Sequence, residues 1–167
     1  MLIKLKMIIR SLSLFITGAV FFIFVQLSNP LQIDGVSTTT YEEGKEELVF
    51  HIYNQGIKRI KIKEVAINSN KLPKEVSLGV SYDGQLVKGG TDNPFIKFMR
   101  IDSEFIEPRL SQEEFKAAIK RRDMTPIHYG IRVEFYGEVI KKITIKYKYF
   151  GFPVKKTFLL ERWNLGN

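Results

Sequence analysis

KRIKIKEVAIN, residues 58–68, decides the fold. Ile60 and Ile62 alternate with Arg59, Lys61 and Lys63, the period-two pattern of a strand with one face buried and the other in water. The next apolar residues, Val65 and Ile67, have the opposite parity. All four can face one core only if the strand absorbs an extra residue near Glu64, which is what a β-bulge does.

Working outward, LVFHIYN (48–54) sets Leu48, Phe50 and Ile52 against Val49, His51 and Tyr53, a second strand with one buried face. Val76, Leu78, Val80 and Tyr82 give a third. It ends at Asp83-Gly84, a hairpin dipeptide because both residues tolerate positive φ, and Leu86 and Val87 are expected to begin the return. KGGTDNP (88–94) reads as loop and FIKFMRI (95–101) as a further strand. Between 127 and 160 the alternation of Ile131, Val133 and Phe135, then Ile143, Ile145, Tyr147 and Tyr149, then Val154, Phe158 and Leu160 predicts a three-strand meander, turning at Gly137-Glu138 and at Gly151 to Pro153. A two-residue loop in its first hairpin would set Val133 opposite Lys142, so a three-residue loop or a bulge at Lys141-Lys142 is expected.

One helix interrupts the strands. Ser111 and Glu114 form a capping box, Leu110 and Phe115 stand at hydrophobic-staple spacing, and acidic Glu113 and Glu114 lead while Lys120, Arg121 and Arg122 trail. The helix should run over 112–122. Its few apolar residues, Phe115, Ala117, Ala118 and Ile119, suit a lid across one end of a sheet. The fold class is therefore all-β with one short helix, an antiparallel β-sandwich of seven to nine strands, with a barrel as the alternative. In architecture it resembles immunoglobulin-like domains, without their Cys pair or central Trp. With no Cys in the chain, no disulfide framework supports the fold, which must stand on its core.

The amino end carries a different signal. Ser11 to Leu27 contains no charged side chain, and Lys4, Lys6 and Arg10 all precede it. The sequence thus divides into a basic cytoplasmic flank (1–10), a transmembrane signal anchor (11–27), a polar linker expected to donate a strand around 36–41 (28–46), and an extracytoplasmic β-sandwich domain (47–167). The anchor reaches spanning length with help from Met7, Ile8 and Ile9, because Arg10 can snorkel to the headgroups. Signal cleavage and a buried core helix are the alternatives, but Gln26 at −3 and Leu27 at −1 of the candidate cleavage sites are not the small residues a peptidase takes. Positive charge on the amino side keeps that end inside, so the remainder is expected outside a cell membrane crossed once.

The chain carries a net charge of +8, and without the amino-terminal cations the exported part remains basic. Its most patterned feature is cationic: Arg59, Lys61 and Lys63 share one strand face, and Lys142, Lys146 and Lys148 another, with Tyr136 nearby. Such a surface suits a polyanion or a protein partner, although outward lysines also guard sheet edges. Envelope polymers, lipid surfaces or another membrane protein are the expected partners. Nucleic acid is not, because most aromatics stand at core parity. GVSYDG (79–84) departs from the hydrolase elbow G-x-S-x-G at Asp83, and no helix follows, so Ser81 reads as a strand residue. His51 and His128 lack partners at metal-ligand spacing, and Gly89-Gly90 is no phosphate loop, so neither a metal nor a cofactor is expected. Asp102, Glu104 and Glu107 give no selected catalytic pair. The expectation is a non-enzymatic, membrane-anchored module of the bacterial envelope. Its alternatives are a wall-directed hydrolase or inhibitor with a carboxylate site near 88–107, or a subunit of a larger membrane assembly.

Overall fold

The alternation is realised as two antiparallel sheets that enclose one core. The computed structural model describes residues 2–41, 45–68, 71–88, 93–136 and 139–160, with the backbone alone at 2–8, 11, 40, 45, 46 and 136. Its elements are α1 (Leu2–Leu27), β1 (Leu31–Thr40), β2 (Lys45–Asn54), β3 (Ile60–Ile67), β4 (Glu75–Ser81), β5 (Ile96–Arg100), α2 (Gln112–Arg121), β6 (His128–Tyr136), β7 (Lys142–Tyr149) and β8 (Phe152–Leu159). One sheet has the order β1-β2-β6-β4-β5 and the other β3-β7-β8.

The parity break in β3 is resolved by a bulge. Ile62 pairs with Tyr147 and Glu64 with Lys146, leaving Lys63 as the extra residue, and Ile60, Ile62, Val65 and Ile67 are all buried. They meet Ile143, Ile145, Tyr147 and Tyr149 of β7, and across the sandwich Phe50, Leu78, Val80, Ile131 and Val133. Each fully buried Ile or Leu contributes on the order of 1.5–3 kcal/mol, enough in sum to hold the sheets together without a disulfide.

Several expectations are corrected. The strand expected around 36–41 in the 28–46 segment begins earlier: β1 starts at Leu31 and pairs with β2 over its length, with Leu31 and Ile33 in the core. A bulge at Asp34 shifts the register between Ile33 and Gly35, which hid this strand's alternation. β2 is covered on both faces, because Val49 and His51 are buried as well as Leu48, Phe50 and Ile52. Asp83-Gly84 makes no two-residue hairpin, since β4 pairs instead with β5, Ser81 opposite Ile96. The Asp83 carboxylate accepts hydrogen bonds from Ser81 Oγ, the Gln85 N–H and Asn93 Nδ2, pinning both ends of the intervening loop. Val87 then folds over the sheet onto two paired glycines. A Cβ at Gly79 would lie 2.4 Å from Val87 and one at Gly130 3.0 Å from it, so only bare backbone leaves room.

The expected meander is also broken. β6 lies between β2 and β4 in the first sheet while β7 joins the second, so neither a three-residue hairpin loop nor a bulge at Lys141-Lys142 is required. The expected turn at Gly137-Glu138 lies outside the described residues. β7 and β8 do form a hairpin, Tyr149 opposite Phe152, through a two-residue turn at Phe150-Gly151. Both turn residues have positive φ, 51° and 83°, as a type I′ turn requires.

Both capping-box hydrogen bonds of α2 are present: Ser111 Oγ accepts from the Glu114 N–H and the Glu114 carboxylate from the Ser111 N–H. Ala118 is its buried residue, and Phe115 packs edge-on against His128 at the start of β6. α1 rests its carboxyl end on the β7–β8 hairpin. The Phe21 ring lies 5.3 Å from Phe150 and 6.1 Å from Phe152, Gln26 Nε2 donates to the Pro153 carbonyl at 3.0 Å, and Val25 is fully buried. Among the described residues no helix is long and apolar enough to cross a membrane.

The bulge gives a direct test. Replacing Lys63 by Ala should change stability by less than ~0.5 kcal/mol, as for an exposed side chain. Deleting Lys63 should abolish cooperative unfolding in urea, because one half of β3 would turn its isoleucines outward.

Candidate functional site

The β3–β7 pairing brings together most of the basic residues singled out in the sequence. Lys61 stands directly opposite Lys148, and the bulge leaves Lys63 beside them. With Lys58 and Arg59 they line an open groove of about 450 Å³ whose apolar parts are Phe105 and Phe150. The Arg59 guanidinium lies 3.9 Å from the Phe105 ring centre and the Lys61 ammonium 4.6 Å, so one ring orients two cations. Like charges placed opposite each other destabilise a sheet. Among the described residues no carboxylate pairs with Lys58, Arg59, Lys61, Lys63 or Lys148.

The other two candidates stand apart. Lys146 forms an exposed ion pair with Glu64 at 2.8 Å, worth ~1 kcal/mol at most. Lys142, at the far end of β7 opposite Leu159, does not line the groove. The side chain of Tyr136 lies outside the described residues. Sequence reasoning missed Lys58, Phe105 and Phe150. Lys58 lies in the β2–β3 turn, and Phe105 is positioned by reciprocal backbone hydrogen bonds between Ile60 and Ile106. Phe150 could have been suspected, since it follows Tyr149 where the alternation stops.

A second concavity was not anticipated. Both histidines line a cavity of about 490 Å³ together with Asp34, Tyr53, Glu107, Arg109 and Phe115. Asp34 reaches it because it is the bulged residue of β1, as Lys63 is of β3. Burial lowers the pKa of His51 below its ordinary 6.5; Asp34 opposes the shift while His128 and Lys88 add to it. Burial likewise lowers His128, against the opposing charges of Asp34 and Asp83. Tyr129 in the same wall is pushed up to about 12, again mainly by burial. Burial thus favours the neutral form of both imidazoles.

The chemistry available there is limited. His51 Nε2 lies 2.8 Å from Ser37 Oγ, half of a nucleophilic pair, yet Ser37 does not line the cavity where an acyl group would sit. Ser81 is fully buried and donates to Asp83. Of the carboxylates near 88–107, Asp102 pairs with Arg100 and Glu104 accepts from the Phe105 N–H, while Glu107 alone of the three lines the cavity. Asp92 lies outside the described residues. Among the described residues no three His, Asp or Glu side chains gather as a metal site. No family model matches the chain, and comparison with curated proteins and with solved structures finds no match.

The histidines fix a pH dependence. Their folded-state pKa values lie below the unfolded value, so their contribution to stability is complete above about pH 6.5 and is lost as pH falls through the folded values. The urea midpoint should fall between pH 7.5 and 5.5. The double substitution His51→Gln, His128→Gln should flatten that slope; an unchanged slope would place its origin elsewhere.

Proposed function

We propose that the chain is a membrane-anchored, extracytoplasmic, non-enzymatic binding module of the bacterial cell envelope. The observation that carries this reading is the helix that leads into the sandwich. Leu14 and Phe15 of α1 are about three-quarters exposed, and Leu12, Ile16, Val20 and Ile23 more than half. A contiguous apolar surface of that kind needs lipid or a partner to cover it. No charge interrupts 11–27, the apolar residues 7–9 extend the run, and Lys4, Lys6 and Arg10 bias the amino end inward. Single-pass anchoring then leaves both sheets outside.

Within this reading the sandwich is immunoglobulin-like. Its support is the strand order: β1-β2-β6-β4 against β3-β7-β8 matches the A-B-E-D and C-F-G sheets of that architecture, with β5 as an added edge. Binding is favoured over turnover because the groove gathers fixed cations and aromatic rings, groups that hold an anion, whereas the nearby carboxylates engage their own neighbours.

Membrane fractionation of intact bacteria tests it. The full chain should sediment with membranes after alkaline carbonate washing and lose its sandwich domain to externally added trypsin. Recovery in the soluble fraction, shielded from that protease, would refute the proposal.

A further inference from the structure

We infer that the Lys58–Arg59–Lys61–Lys148 groove takes the phosphate groups of anionic phospholipids in the bilayer that holds α1, an inference that rests on the anchored reading above. Its first support is electrostatic. Lys61 and Lys148 are forced opposite each other, and no described carboxylate pairs with the groove's cations. An incoming phosphate would remove the repulsion and collect charge-assisted hydrogen bonds from both strands. Arg59 and Lys61, both seated on Phe105, are already oriented toward the same opening.

The second support is the turn that forms the groove's lip. Phe150 has φ 51°, a left-handed conformation that is an outlier for a bulky residue and that Asn or Gly would adopt at less cost. What Phe150 gains is position: its ring packs at 4.7 Å on Tyr149 and at 5.3 Å on Phe21 of α1, while the same residue lines the groove. Strain of this kind persists where neighbouring packing holds it.

The third support fixes the occupant. The hairpin tip sits beside Phe21, six positions before Leu27 and so about 9 Å along the helix axis from it. With Leu27 at the membrane surface, Phe21 and the Phe150–Phe152 tip packed on it lie about 9 Å below that level, among the acyl chains. The cations behind them then face the headgroups. A wall polymer would have to reach the same lip past the bilayer surface, whereas lipid phosphates are already there.

Full-length protein in nanodiscs of phosphatidylcholine, with or without about one-third phosphatidylglycerol, tests the inference through hydrogen exchange of amides 57–61 and 148–152. Exchange there should slow by about tenfold or more when phosphatidylglycerol is present, as expected for several cations held at an anionic surface. The triple change Arg59→Gln, Lys61→Gln, Lys148→Gln should remove that difference, and Lys61→Arg with Lys148→Arg should keep it. Equal exchange in both lipids overturns the inference. So does protection that soluble poly(glycerol phosphate) confers in phosphatidylcholine discs while phosphatidylglycerol confers none. Protease digestion of the same discs separates the two levels: protected α1 without lipid dependence rejects the headgroup site alone, and digestible α1 rejects the anchor and this site together.

Discussion

Period-two alternation, kept in phase across both sheets, is the constraint on which the rest of the structure depends. Both sheets present their main apolar set to one interior, and a slip of one residue would turn that set to water; Val49 of β2 and Ile96 of β5 instead join Val87 in a smaller cluster on the outer face. The chain has no Cys to compensate for such a slip. Two bulges keep the phase, at Asp34 in β1 and at Lys63 in β3. Each also delivers a charged side chain to a concavity, Asp34 to the histidine cavity and Lys63 to the cationic groove. The device that preserves the core thus also shapes both candidate surfaces, in keeping with the enrichment of bulges near functional sites.

The groove itself is a junction of three separate pieces of chain. The β2–β3 turn supplies Lys58 and Arg59, the backbone bridge between Ile60 and Ile106 sets Phe105 under them, and the β7–β8 turn brings Phe150. Sheet edges nearby are protected in familiar ways. β3 is interrupted by its bulge and lined with lysines, and β8 carries Pro153 and Lys155. On the opposite side of the molecule Val87 seals the outer face of β4 and β6 by resting on Gly79 and Gly130, which leaves β2 covered on both faces.

Much of this was legible in the sequence. Residues 58–68 announced their own bulge through the parity of Ile62 and Val65, and Ser111 with Glu114 announced the start of α2. Alternation states which side chains share a face, but not which strand lies alongside. For that reason alternation alone makes β6 and β7 look like partners although they lie in different sheets. The bulge in β1 is not legible in the sequence, because small polar residues, Ser37 to Thr40, follow it and carry no apolar alternation. The cationic face was legible as a pattern. Its division was not, since only pairing sets Lys146 on Glu64, leaves Lys142 at the far end, and gathers Lys61, Lys63 and Lys148 beside Phe105.

The absence of native cysteine makes the β3–β7 register directly measurable by disulfide trapping. Opposed residues in antiparallel strands lie about 4.5–5.5 Å apart at Cα, within disulfide reach. With Lys63 as the bulged residue, Glu64→Cys with Lys146→Cys closes under mild oxidation more efficiently than Lys63→Cys with Lys146→Cys, because Glu64 is the residue in register. Efficient closure of the 63–146 pair, with the 64–146 pair left open, would contradict the register on which both the core and the groove are built.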